Sequence, residues 1–262
     1  MEGTFRKMST SHQPIVQYTL TMGDEAQLMN DLLGHEITLS YTGQIFCKDC
    51  GRKTKKSFNQ GFCYPCFMNS PLSSPCIIHP EKCQAHLGIG RDMEWEKTYH
   101  LCPQFVYLSL TAGAKVGITR EGQIPTRWID QGARQAIIIA KTPNRYTAGM
   151  MEVALKQHIS DKTSWQKMLK DEVQDVDLES IRDQLVVHLD ASLSEYLVQE
   201  PLYQFDYPVL AYPQKVKSIN LDKTPIFKGR LTGIKAQYLM FDEQFVINVR
   251  KYEGYEMNIN IH

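Results

Sequence analysis

The chain has 262 residues, with 29 Lys plus Arg against 29 Asp plus Glu, and so a formal net charge near zero. This length fits one large domain or two to three small ones and excludes a mini-protein that folds only around a metal. The charge balance excludes a chain drawn as a whole to polyanions, so a nucleic-acid surface has to be local.

No stretch approaches the roughly 20 apolar residues of a membrane span, and the segment from Met1 to Lys7 lacks the apolar run of a signal peptide. Seven cysteines, four of them in metal spacing, fit a reducing compartment better than a secreted disulfide scaffold. The expectation is a soluble cytoplasmic protein with no membrane partner.

Residues 1–40 read as a strand-rich entry. Apolar alternation predicts strands at Gln17 to Leu20 and Glu36 to Ser40, and Asp24 to Leu33 is compatible with a short helix. Residues 41–104 form metal-ligand and turn territory, where Pro65, Pro71, Pro75, Pro80 and Pro103 argue against long regular elements. In 105–170 the pattern becomes strand, strand, helix, strand, helix: Phe105 to Leu110, Ala114 to Thr119, Thr126 to Gln131, Ala136 to Ala140 and Ala148 to Ile159. Ser160 to Trp165 reads as a junction with capping hydroxyls. Residues 171–200 make an acidic helical connection carrying Asp171, Glu172, Asp175, Asp177, Glu179 and Asp183, which reads as a solvated face. Short strands between turns in 201–262 predict a small antiparallel barrel or curled sheet. The expected fold class is α+β: a zinc-braced N-terminal region, a central α/β domain and a C-terminal antiparallel β module.

Cys47-Lys-Asp-Cys50 and Cys63-Tyr-Pro-Cys66 are two CxxC pairs with twelve residues between them. Each pair sets two thiolates on one tight turn, and two such turns close a tetrahedral cage around Zn²⁺ with no position open to substrate. Gly51 relieves the first turn, and Phe46, Phe62 and Phe67 are placed to cover the cage. Lys48, Arg52, Lys53, Lys55 and Lys56 make this knuckle the densest basic patch of the chain, suited to phosphates or simply to solvent. Cys76, Cys83 and His86, with Cys102 farther on, supply a second four-ligand set, and His79 and His100 are alternatives at individual positions. Two structural zinc ions are expected.

Several stretches resemble the DUF2797 family over nearly the whole chain: the paired cysteines, Pro80-Glu-Lys-Cys83 with His86 and Gly88, Val106-Tyr-Leu, Lys115-Val-Gly-Ile-Thr-Arg120, Gln123 to Ala133 and Ser160 to Trp165. The family name implies no activity. More distantly, the middle segment resembles the GIY-YIG nuclease domain. Phe105-Val-Tyr107 matches its first tripeptide and Lys115-Val-Gly117 its second, Arg127 stands at the helical arginine, and Glu152 at the metal-binding glutamate. Lys115 replaces the more usual tyrosine, and the hairpin between the tripeptides is shorter than usual. The resemblance implies divalent-metal-dependent cleavage of a phosphodiester. Tyr107 would act as base or proton relay, Arg127 would clamp phosphate oxygens, and Glu152 would anchor Mg²⁺ or Mn²⁺. Gly117 would let a phosphate approach the strand, with Lys115 and Arg120 adding charge to the same mouth. Trp128 has two readings: a core residue beside a left-handed C-cap at Gly132, or a stacking surface for a base. The function expected is DNA or RNA binding with endonuclease action; the alternative is a non-catalytic zinc-containing nucleic-acid-binding or protein-interaction protein.

Overall fold

The computed structural model describes residues 1–159 and 163–262, which divide into two units: 1–68 with 206–262, and 69–205. The five segments read from the sequence thus regroup, because the first and last of them share a sheet. Strand Glu36–Phe46 buries Ile37 and Leu39 completely, as period-two alternation requires. It pairs antiparallel with Tyr255–Ile261 on one side and with Ile226–Lys235 on the other. The eight-stranded sheet runs Glu2–Thr4, Tyr255–Ile261, Glu36–Phe46, Ile226–Lys235, Tyr238–Phe241, Phe245–Asn248, Lys217–Ser218, with Lys53–Thr54 pairing off this path to Glu36–Phe46. One pairing, Lys217–Ser218 with Phe245–Asn248, is parallel, so the expected all-antiparallel module is a mixed sheet. A register shift between Leu231 and Gly233 curls it.

A second sheet of this unit joins Ser9–Ser11, Gln17–Met22 and Glu25–Leu28. The short helix read over Asp24 to Leu33 is instead a strand followed by the single 3-10 turn Met29–Leu32. Gly23 explains the difference: at φ +57° it makes a two-residue hairpin turn that returns Glu25 to face Met22.

In the unit 69–205 the four strands are all antiparallel, in the order Tyr203–Gln204, Gln135–Thr142, Gln104–Leu110, Ala114–Arg120. Every residue of Gln104–Leu110 is buried, which requires cover on both faces. On one face Val106, Leu108, Leu110, Val116 and Ile118 pack against Ala148, Met151 and Leu155 of helix Arg145–Lys156 and against Leu178 and Leu185 of helix Leu178–Val186. The acidic stretch is therefore an amphipathic cover of this sheet, capped by Asp177, which accepts from the Glu179 N–H at 3.0 Å. On the other face Trp128, from helix Thr126–Ile129, meets Tyr107 at 5.7 Å and Tyr203 at 4.8 Å between ring centroids. Gly132 takes φ +71° just past that helix, the left-handed conformation expected of it. Ser160, Asp161 and Lys162 lie outside the described residues; Ser164 caps helix Trp165–Leu169 through the Lys167 N–H.

Candidate metal centres and a cationic patch

The two CxxC pairs meet in the first unit. The ligand atoms of Cys47, Cys50, Cys63 and Cys66 all lie within 4.8 Å of one another, and Cys50 Sγ is 3.8 Å from Cys63 Sγ. A tetrahedron of thiolates at the Zn–S bond length has edges of about 3.8 Å, so the set fits a zinc-type ion. The knuckle geometry comes from the turns: Gly51, at φ +72°, donates to the Cys47 carbonyl at 2.9 Å, and the Cys63 N–H reaches Cys47 Sγ at 3.2 Å. Cys50 is pulled down to about 6 by the hydrogen bond from Arg52, while burial pushes the Cys66 thiol up. One acidic thiol beside a reluctant one is what crowded sulfurs adopt before a cation neutralises them.

The basic residues here do not act as one patch. Lys48 is paired with Glu253 at 2.9 Å and lies 4.5 Å from the Phe62 ring centre, and Arg52 serves Cys50. Both are committed to the cage and its support. Lys53, Lys55 and Lys56 are exposed.

The second cluster belongs to the unit 69–205 and corrects the expected ligand set. Cys76 and Cys83 do converge, but their companions are Glu96 and His100, and all four are buried. His100 Nδ1 lies 3.8 Å from Cys76 Sγ and 3.7 Å from Cys83 Sγ, again the edge lengths of a tetrahedral site. The Glu96 carboxylate closes on the same ring nitrogen. His86 is exposed and stacks on Tyr146 at 4.4 Å, and Cys102 instead accepts from Gln104 Nε2 at 3.2 Å. His79 faces Glu81 at 3.4 Å. The physical reason is helix Met93–Tyr99: capped by Asp92, it sets Glu96 and His100 four residues apart on one face, whereas His86 sits on a separate single turn, Ala85–Leu87. Cys76 is drawn down to about 4, chiefly by the Cys83 thiol donating to it, while Cys83 is pushed up by the same contact and by burial. Burial also raises Glu96. An acid and a thiolate buried together are costly without a compensating cation, and a metal supplies one.

This cluster is bolted to helix Arg145–Lys156. Arg145 Nε and Nη2 donate to the carbonyls of Cys76 (2.9 Å) and Ile77 (2.8 Å). A side chain at Gly149 would run into the backbone of Pro80 and Glu81. Sequence reasoning missed Glu96 and Arg145; the Asp92 cap with the Glu96/His100 spacing was the available signal for the first.

On the same helix, Glu152 joins Tyr107, Lys115 and Arg127 in one electrostatic neighbourhood. Tyr107 is wholly buried; its hydroxyl donates to Gln131 Oε1 at 3.2 Å and is engaged by Arg127. Burial raises the Tyr107 hydroxyl's pKa against the opposing pull of Arg127. The Arg127 guanidinium is held strongly protonated, mainly by Tyr107, yet its Nε is buried without a hydrogen-bond partner. Lys115 is lowered to about 8 by burial and by the Arg127 charge. Burial raises Glu152, whose carboxylate pairs with Lys156 at 3.1 Å.

Three expected members stand elsewhere. Trp128 is fully buried against Tyr107, Tyr203 and Phe205, so it packs the core and offers no face to a base. Arg120 falls by strand alternation on the face opposite Lys115, and its guanidinium lies over the Tyr99 ring at 4.2 Å. Gly117 makes room for Tyr107 and not for a ligand: a Cβ there would come within 2.6 Å of the phenol oxygen.

Among the described residues no helix is long and apolar enough to cross a membrane. No curated protein and no solved structure matches the chain. Residues 34–257 match the model of a family described as "Protein of unknown function (DUF2797)", and the chain belongs to that family.

Proposed function

We propose that this DUF2797 chain is a zinc-braced nucleic-acid-binding protein whose central sheet carries a phosphodiester site at Lys115 and Arg127. One observation carries the reading: two cations are held close enough for Arg127 to depress Lys115, and Arg127 keeps a buried Nε–H without an acceptor. A fold tolerates such crowding where an anion relieves it, and a phosphate oxygen accepts from a guanidinium edge while neutralising both charges. The test is binding of labelled single-stranded, duplex and branched DNA and of structured RNA by the zinc-loaded chain. Arg127→Lys and Lys115→Gln are expected to weaken binding about tenfold or more with zinc content and circular dichroism unchanged; unaltered affinity in both would sink the assignment.

The same residues support a second reading, divalent-metal-dependent cleavage, because the Glu152 charge is felt at both Arg127 and Tyr107. Glu152 would hold Mg²⁺ or Mn²⁺ in the manner of phosphate-bound magnesium, with one carboxylate from the protein and the other positions left to phosphate oxygens and water. Such an ion would supply charge neutralisation at the leaving oxygen. Arg127 would orient the phosphate, and Tyr107 would receive a proton only while Arg127 offsets its burial. Cutting that needs Mg²⁺ or Mn²⁺ and disappears in Glu152→Gln supports this; binding without cutting leaves a non-catalytic nucleic-acid-binding protein.

A further inference from the structure

The first cysteine knuckle presents aromatic rings as well as lysines. Phe58, Tyr64 and Phe67 form a contiguous group, with ring centroids 5.4 Å apart for Phe58 and Tyr64 and 6.0 Å for Phe58 and Phe67. Tyr64 and Phe67 lie three apart on helix Tyr64–Asn69, hence on one side of it, and the helix is anchored by the ligands Cys63 and Cys66. Tyr64 remains 57% exposed and the neighbouring Met68 46%. A tyrosine that served only to cover the cage would be buried; this one is held rigidly with its ring in solvent.

The charges sort in the same way. Four thiolates around a dication leave a net charge of about −2, which explains why Arg52 turns toward Cys50. Lys53, Lys55 and Lys56 are left over, exposed and in no ion pair among the described residues, and Lys56 Nζ stands 5.3 Å from the Phe58 ring centre. The ribbon bearing them is fixed by pairing of Thr54 with Ile45 and Lys53 with Phe46. Rigid exposed rings bordered by unpaired ammonium groups match a chain of alternating bases and phosphates. Duplex bases are stacked on each other and cannot reach such rings; single-stranded bases can.

We infer that this knuckle is a stacking platform for single-stranded nucleic acid, with Tyr64 taking a base and Lys53, Lys55 and Lys56 the flanking phosphates. The inference rests on the nucleic-acid reading above and adds to it a strand preference and a second contact surface.

The test is fluorescence anisotropy of the zinc-loaded full chain with labelled dT and rU oligonucleotides of about 12 nucleotides and with a hairpin duplex, over a salt series. Single strands should bind at least about tenfold tighter than the duplex, and whichever of dT and rU binds tighter identifies the preferred sugar. Tyr64→Ala should lose about tenfold on single strands with an unchanged salt slope, and Tyr64→Trp should retain affinity. Lys55→Gln with Lys56→Gln should lower the salt slope by about 1. Because Tyr64 is exposed, its substitution leaves the fold intact, and retained zinc confirms that. Equal binding of duplex and single strand, or wild-type affinity in Tyr64→Ala, overturns the platform while leaving the Lys115 and Arg127 site standing. No binding to any nucleic acid overturns both.

Discussion

The two cysteine clusters do the same chemical job by opposite constructions. The first gathers four thiols from two CxxC turns, and Cys50 stays exposed at its rim. The second draws Cys76 and Cys83 from single turns and Glu96 and His100 from a helix, and buries all four. The first is local, so its ligands can be replaced with consequences confined to the knuckle. The second is tertiary: Arg145 and Gly149 tie it to the helix that carries Glu152, so its loss reaches the cationic patch.

The largest effect should follow disruption of the buried cluster. Cys83→Ser is expected to cost more than about 4 kcal/mol and to lower the thermal midpoint of the chain sharply, since a structural metal and a buried acid lose their partner together. Cys50→Ser, at an exposed position, should cost about 2 kcal/mol, with the large sheet of the first unit retained in far-ultraviolet circular dichroism. A reversed order of these two in denaturant titrations would break the comparison.

Gly149→Ala sharpens it further. The added methyl meets the backbone of Pro80 and Glu81, which can yield only by shifting the turn that precedes Cys83, and a loss of about 1–3 kcal/mol is expected. Accompanying loss of one zinc per chain would show that the helix and the cluster are one assembly; wild-type stability would show that they are independent.

The smallest effect is one of pH. Lys115 titrates at about 8 in the folded chain against its ordinary 10.5, so between these values the unfolded chain holds the extra proton and stability rises with pH. Anion affinity moves the other way, falling as Lys115 loses its charge above about 8. Lys115→Gln should flatten both profiles. Parallel movement of stability and affinity in the native chain would remove Lys115 from the anion site.

What the sequence made legible follows the same division. The CxxC spacing writes the first cluster in twenty residues, and the alternation in Phe105 to Leu110 and Ala114 to Thr119 announces the central hairpin. The second ligand set was half visible, because two of its members depend on a seven-residue helix concealed in a proline-punctuated stretch. The split of the basic knuckle into inward Lys48 and Arg52 and outward lysines could not be read, since Lys48 finds its partner at Glu253 some two hundred positions away. For the same reason the sharing of one sheet by the two ends of the chain was hidden: a strand's alternation shows its faces and not its neighbours. Trp128 shows the remaining ambiguity, because a tryptophan beside an arginine reads equally well as a base platform or as core until its burial is known.

The most direct test of this construction is the zinc content of the purified full chain, measured by mass spectrometry of the element in the native protein and in His100→Ala and His86→Ala. Two ions per chain are expected in the native protein and in His86→Ala, and one in His100→Ala. Loss of an ion in His86→Ala with none lost in His100→Ala would contradict the ligand set and the coupling built on it.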